Sequence, residues 1–159
     1  MEAAVFFRDR DVVDRGLAAA HQAVLVEFPL LVAVGPVPLP GIVYHANYLR
    51  FMERGRSNYL RLLGADQRAL FAEAESEAPG FAFVVRTMQL EFLKPARMDD
   101  LLEVVTRTLE VKGASITLAQ EVRRGDIVLL EAKVKVAFVS GGQARPIPKA
   151  LRVAMKADL

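Results

Sequence analysis

An α+β fold, one long helix laid across an antiparallel sheet, is what this sequence predicts, and three observations predict it. Between Gly41 and Gly64 the segment GIVYHANYLRFMERGRSNYLRLLG sets Tyr48, Met52, Gly55, Tyr59 and Leu62 at steps of three and four. Arg50, Glu53, Arg54, Ser57, Asn58 and Arg61 fall on the other side, so one face of this helix is expected to be buried. From Phe81 onward the period changes to two, and turn signals then divide the chain into four long strands joined by tight connections.

Taken in order, residues 1–40 form an atypical N-terminal segment in which Asp11–Val24 suits a short helix and Leu30–Val34, between Pro29 and Pro36, suits a buried strand. Composition changes abruptly at Gly41, and residues 41–159 read as the main part of a single domain. Gly41 makes a tight turn, Asn47 suits the cap of the central helix, and Gly64 is expected to stop it. Asp66 then caps a second helix through about Glu75, and Pro79-Gly80 ends the helical region. In the first long strand Ala82, Val84, Met88, Leu90 and Phe92 are expected to share a face opposite Thr87, Gln89 and Glu91. Pro95 turns the chain, Leu101–Val111 is the next strand, Lys112-Gly113 a turn, and Ser115–Arg123 a strand with Ile116, Leu118 and Val122 on one side. After Arg124-Gly125-Asp126 the clearest alternation follows: Val128, Leu130, Ala132, Val134, Val136 and Phe138 against Glu131, Lys133 and Lys135. Gly141-Gly142 ends that strand, and Pro148–Lys156 reads as a terminal helix. A sheet with an open edge and apolar alternating faces predicts dimerisation.

Composition excludes several classes of function. A net charge of +2 on 159 residues is too small to predict nucleic-acid binding. The chain has no cysteine, hence no disulfide framework, thiolate metal site or Cys nucleophile, and its two histidines, His21 and His45, leave no metal expected. Phe28–Tyr44 carries no charge, but Pro29, Pro36, Pro38 and Pro40 interrupt it, so no membrane span is expected. A cytoplasmic protein without a cofactor is the resulting expectation.

GIVYHANYLRFMERGRSNYLR, followed by LEFLKPARMDDLLEV at Leu90–Val104, resembles the hot-dog-fold acyl-CoA thioesterases, in the branch of 4-hydroxybenzoyl-CoA thioesterases and their Tol-Pal-associated relatives. The resemblance runs from Gly41 to about Pro148. It implies a long helix wrapped by a five-stranded antiparallel sheet, subunits paired edge to edge as homodimers and often as homotetramers, and a first strand from before Gly41. It also implies hydrolysis of a small or medium acyl thioester, aromatic ones included, carried by CoA or by acyl-carrier protein. One departure stands out. The family's Asp three residues before the glycine, nucleophile or general base, is Pro38 here, and no carboxylate lies between Glu27 and Glu53.

By resemblance the oxyanion donor is the backbone N–H of His45, at the start of the helix beside Tyr44. The His45 side chain either orients water or packs at an interface. Glu53 lies eight residues beyond His45, roughly 12 Å along a helix. Another branch of the superfamily takes its base from the central helix; the alternative is an ion pair with Arg50, with Arg56 or across an interface. The resemblance assigns the CoA phosphates to Lys112 and Arg145, the pantetheine arm to Ser115, and a substrate-side turn to Gly41. Pro38 leaves a competing expectation, a disabled hot-dog homodimer that binds acyl thioesters or a protein partner without turnover. It also leaves open whether the segment before Gly41 comes from a shifted reading frame or alternative start, or is a true replacement.

Overall fold

The computed structural model describes residues 24–27, 41–66 and 68–157. The elements run β1 (Val24–Glu27), α1 (His45–Asp66), α2 (Arg68–Glu77), β2 (Ala82–Phe92), β3 (Glu103–Val111), β4 (Ser115–Arg124), β5 (Ile127–Ser140), β6 (Gln143–Ala144) and α3 (Lys149–Ala157). Five strands follow the path β1-β3-β4-β5-β2, every pairing antiparallel, and the two-residue β6 pairs with the end of β5. This is the expected long helix on a five-stranded sheet. The first strand comes from before Gly41, at Val24–Glu27; of the short helix expected at Asp11–Val24 only Val24 is described, and it opens this strand, the rest lying outside the described residues. Leu30–Val34 and Pro38 lie outside the described residues.

Helix α1 is placed by its apolar stripe. Tyr48, Met52 and Tyr59 are buried against the sheet. Between them Gly55 is a close-approach residue, for an added Cβ would stand 2.6 Å from Cγ1 of Val104 on β3. The same face carries the buried Arg56, whose Nη1 donates to Oε1 of Gln120 on β4 at 2.5 Å. Gln120 in turn donates from Nε2 to the Met52 carbonyl (3.0 Å) and to Thr106 Oγ1 (2.9 Å), and Tyr59 hydrogen-bonds Thr108. Buried polar groups are tolerable when paired, and these are. Leu118, Val122, Leu130, Val134, Val136 and Phe138 complete the core, with Ala74 of α2, Ala78 just beyond it, and Leu151 and Met155 of α3 in the same cluster.

Four expectations about local structure are corrected. The helix begins two residues before Asn47, whose N–H is bound by the Tyr44 carbonyl (2.9 Å), so Asn47 lies inside the first turn. It also passes through Gly64 and ends at Asp66, two residues before α2 begins at Arg68; glycine lowers helix propensity without forbidding the conformation. Strand β3 begins at Glu103, because Asp99 turns the chain with φ 66° just before it. In β2 a bulge between Val85 and Thr87 shifts the register. Phe83 and Val85 pair with Phe138 and Val136 on the side of Met88 and Leu90, whereas Ala82 and Val84 turn to the other face.

Gly55→Ala is expected to destabilise the protein by about 1–3 kcal/mol, because Val104 is β-branched and cannot swing clear of the new methyl. That exceeds the gain of about 1 kcal/mol that alanine brings to a helix interior. Urea unfolding checks the sign, and trimming Val104→Ala in the same chain is expected to recover most of the loss.

Candidate active site

The start of α1 is held by backbone pairing with the segment that follows β2. Val43 N–H donates to the Ala96 carbonyl (2.9 Å), Met98 N–H donates to the Gly41 carbonyl (3.1 Å), and Ile42 bridges Arg97. Gly41 makes this approach at φ 89°, a left-handed conformation that favours glycine. Ala96 N–H donates to the buried Tyr48 hydroxyl at 2.7 Å, which ties the first turn of the helix to the same segment. Leu93 and Lys94 are anchored in turn by the Leu129 carbonyl of β5, at 2.9 and 3.1 Å.

Among the described residues no side chain caps this helix, and its first turn contains no acidic residue. Among the described residues the N–H groups of His45 and Ala46 have no hydrogen-bond acceptor. They are orphan donors at the positive end of a 22-residue helix, the arrangement that receives an anion or a developing oxyanion. Around them stand aromatic rings: His45 lies 4.4 Å from Tyr44 and 6.5 Å from Phe92, and Tyr48 lies 5.6 Å from Phe92, both Phe92 contacts edge-on. Tyr44, His45 and Phe92 are exposed, so a substrate reaches this end from solvent.

A charged pair braces the adjoining loop. Asp100 accepts from Arg97 N–H and from Arg124 Nη1, both at 2.7 Å. Burial by itself would raise the Asp100 carboxyl, but these two donors and the positive charges outweigh it and hold the group below the ordinary carboxylate range. Burial raises the Tyr48 phenol, against the opposing pull of its bond from Ala96, and keeps it neutral.

The other sequence-predicted residues lie elsewhere. Glu53, exposed, is ion-paired with the buried Arg56, one of the alternatives read from the sequence. Lys112 and Ser115 share the β3–β4 turn, where Lys112 N–H donates to the Ser115 carbonyl (2.8 Å) and Lys112 Nζ pairs with Glu110 (3.1 Å). Arg145 runs past that turn, since its N–H binds the Phe138 carbonyl (3.0 Å) and Ile147 N–H binds the Gly113 carbonyl (2.7 Å). The fold therefore makes two groups. Gly41, Tyr44 and His45 sit beside Phe92, which pairs with Leu130; Ser115 pairs with Ala137, seven residues or roughly 23 Å farther along β5. Within one chain they do not meet. Among the described residues no cluster of three His, Cys, Asp or Glu side chains is arranged to hold a metal, and no helix is long and apolar enough to cross a membrane.

Residues 40–131 match the Thioesterase superfamily. The chain belongs to that superfamily. It is 41% identical over 129 residues to the acyl-CoA thioesterase YbgC of Haemophilus influenzae, covering 80% of this chain and 91% of the relative. The crystal structure of a probable thioesterase from Bartonella henselae is 37% identical and superposes with a TM-score of 0.54, covering 68% of this chain and 84% of that one. A thioesterase from Thermus thermophilus complexed with coenzyme A and zinc, 24% identical, shares the fold with a TM-score of 0.60 over 74% of this chain and 81% of its own. The architecture of this superfamily member is thus the hot-dog fold that the motifs implied.

Sequence reasoning did not single out Tyr48, Phe92, Arg56 or Gln120 as parts of this site or its support. Arg56 was legible, since it stands one turn from Met52 on the apolar stripe. Gln120 was not, because its partners come from an element sixty residues and more away.

Tyr48→Phe is expected to leave Ala96 N–H unpaired and to cost about 1–3 kcal/mol. The Asp100 carboxyl, lowered in the folded state, contributes stability in full above its unfolded value and loses it as pH falls through the folded one. Asp100→Asn is therefore expected to flatten the acid limb of the stability curve below about pH 4, measured by urea unfolding at stepped pH.

Proposed function

We propose that the chain hydrolyses small or medium acyl-CoA thioesters as an edge-paired homodimer whose site is completed across the pair. The uncapped start of α1 carries this reading. Its free His45 N–H is placed to hydrogen-bond the thioester carbonyl oxygen and to strengthen that bond as charge develops. Water adds to the carbonyl carbon, the C–S bond breaks, and the proton taken from water returns to the departing sulfur, leaving free acid and CoA thiol. The kinship with an acyl-CoA thioesterase at 41% identity supports the substrate class.

Edge pairing follows from β2, an 11-residue edge strand bonded only to β5 among the described strands and exposing Val84, Val85 and Phe92. Two copies of β2 related by a two-fold axis run antiparallel, so the Phe92 end of one lies beside the Ala82 end of the other. The Lys112, Ser115 and Arg145 group of one subunit then comes to the side of His45 of its partner, where the two cations and the serine hydroxyl suit the phosphates and pantetheine of CoA. Glu53 of the partner subunit is assigned as the base that takes the proton of water in place of the carboxylate missing at Pro38, with Arg56 fixing its position. Tyr44 flanks the acyl entrance.

Release of free thiol from benzoyl-CoA and short-to-medium acyl-CoAs tests this. His45→Ala keeps the N–H and is expected to retain most turnover. His45→Pro removes the N–H along with the imidazole that His45→Ala already controls for, at a helical position where proline is tolerated, and is expected to lose about 100- to 1,000-fold. Equal rates for His45→Pro and the parent would overturn the oxyanion assignment. Glu53→Gln is expected to abolish the parent's turnover. Should the parent bind acyl-CoA without hydrolysing it, and Pro38→Asp alone turn over, the protein would be a binding scaffold.

A further inference from the structure

Helix α1 carries a buried charge whose two ends meet different kinds of partner. Arg56 is 4% exposed, and Glu53, 60% exposed, pairs with its Nη2 from the surface one turn earlier. Its other end meets a neutral group. Gln120 of β4, 1% exposed, accepts from Arg56 Nη1 at 2.5 Å and donates from Nε2 to the Met52 carbonyl (3.0 Å) and to Thr106 Oγ1 of β3 (2.9 Å). The amide oxygen is committed to the guanidinium and the amide nitrogen to two acceptors, so this side chain has one satisfied orientation. In helical geometry the Met52 carbonyl is also the acceptor for Arg56 N–H, so Gln120 grips the backbone and the side chain of the same turn. Gly55 brings that turn within reach, for an added Cβ there would stand 3.3 Å from Thr106 Oγ1. Among the described residues Glu53 is the one carboxylate paired with Arg56.

We propose that Gln120 is a positioning residue for thioester hydrolysis, a neutral clamp that fixes Arg56 in one orientation and leaves its whole charge to Glu53. The inference rests on the assignment of Glu53 as base and adds to it a residue from the sheet. Gln120 touches neither substrate nor water; it acts through Arg56. Neutrality is the property that matters. A carboxylate at position 120 would meet the same guanidinium in the buried interior, where opposite charges attract more strongly than at the surface, and would draw Arg56 away from Glu53. An exposed ion pair on a helix is by itself loosely held, because two long side chains share many arrangements. Pinning the cation from below removes most of them, and the carboxylate that follows it is kept at one place. Placement of this kind bears directly on rate, since a displacement of about 1 Å costs on the order of 100-fold.

Two substitutions of nearly equal size test it. Gln120→Glu keeps an acceptor for Arg56 and adds a charge; Gln120→Met removes the acceptor and adds none. Gln120→Glu is expected to lower kcat for acyl-CoA hydrolysis about 100-fold with KM within about twofold of the parent, because Glu53 is released while the CoA contacts are untouched. Gln120→Met leaves Arg56 with Glu53 as its charged partner and is expected to lose less than about tenfold. Rates are measured on variants shown to be folded by circular dichroism, and again in sucrose, which favours the folded state. A loss caused by destabilisation alone would be regained in sucrose; this one is expected to persist. Combined with Glu53→Gln, Gln120→Glu is expected to lower the residual rate no further. A Gln120→Glu variant that keeps the parent's kcat, loses no more than Gln120→Met, or recovers in sucrose, while Glu53→Gln still abolishes turnover, overturns the positioning role alone. Turnover unchanged in Glu53→Gln, or absent from the parent, overturns the base assignment and this inference with it.

Discussion

The close seating of α1 on β3 and β4 is the constraint on which the rest of this structure depends. It is made possible by one missing side chain, at Gly55, where the helix comes so near Val104 that a methyl group would collide. Beside that contact Arg56 is buried under the helix and bonded to Gln120, which is itself bonded to the Met52 carbonyl and Thr106. Apolar packing is non-directional and leaves a helix free to slide or rotate by small amounts. The polar bonds and the single close approach remove that freedom, since each is satisfied in one register only.

A helix fixed in register has a fixed first turn. Gly41, Val43 and Tyr48 tie it to Ala96 and Met98, and the same segment is anchored to β5 through Leu129. The unpaired N–H groups of His45 and Ala46 are thereby held at a set position against Phe92. Preorganised donors are useful in acyl transfer because they need not reorient as charge develops on the oxygen. Carrying the oxyanion on a backbone amide also makes that part of the site indifferent to the side chain beside it. In the proposed mechanism Pro38, where the family has a carboxylate, bears on how water is activated and not on this donor.

The sheet distributes function over distance. The donor end and the cationic turn occupy opposite ends of β5, farther apart than one reacting centre spans. In the proposed dimer a second copy, reversed across β2, brings the two ends together, β2 being bonded only to β5 among the described strands.

Much of this was determined by the sequence alone. The stripe at Tyr48, Met52 and Tyr59, the alternation of β5 and the glycine-marked hairpins specify a helix on an antiparallel sheet, because periodicity is a local property of the chain. The motif around Tyr44-His45 likewise identified the helix start. Element ends were less legible: Asn47 and Gly64 have the chemistry of helix ends, yet α1 begins before the first and runs past the second, since tertiary packing outweighs a propensity of about 1 kcal/mol. Tertiary structure alone decided the bulge in β2 that moved Val84 to the opposite face, the burial of Arg56 against Gln120, and the distance between His45 and Lys112. Those depend on which residues far apart in sequence become neighbours, and no local pattern encodes that.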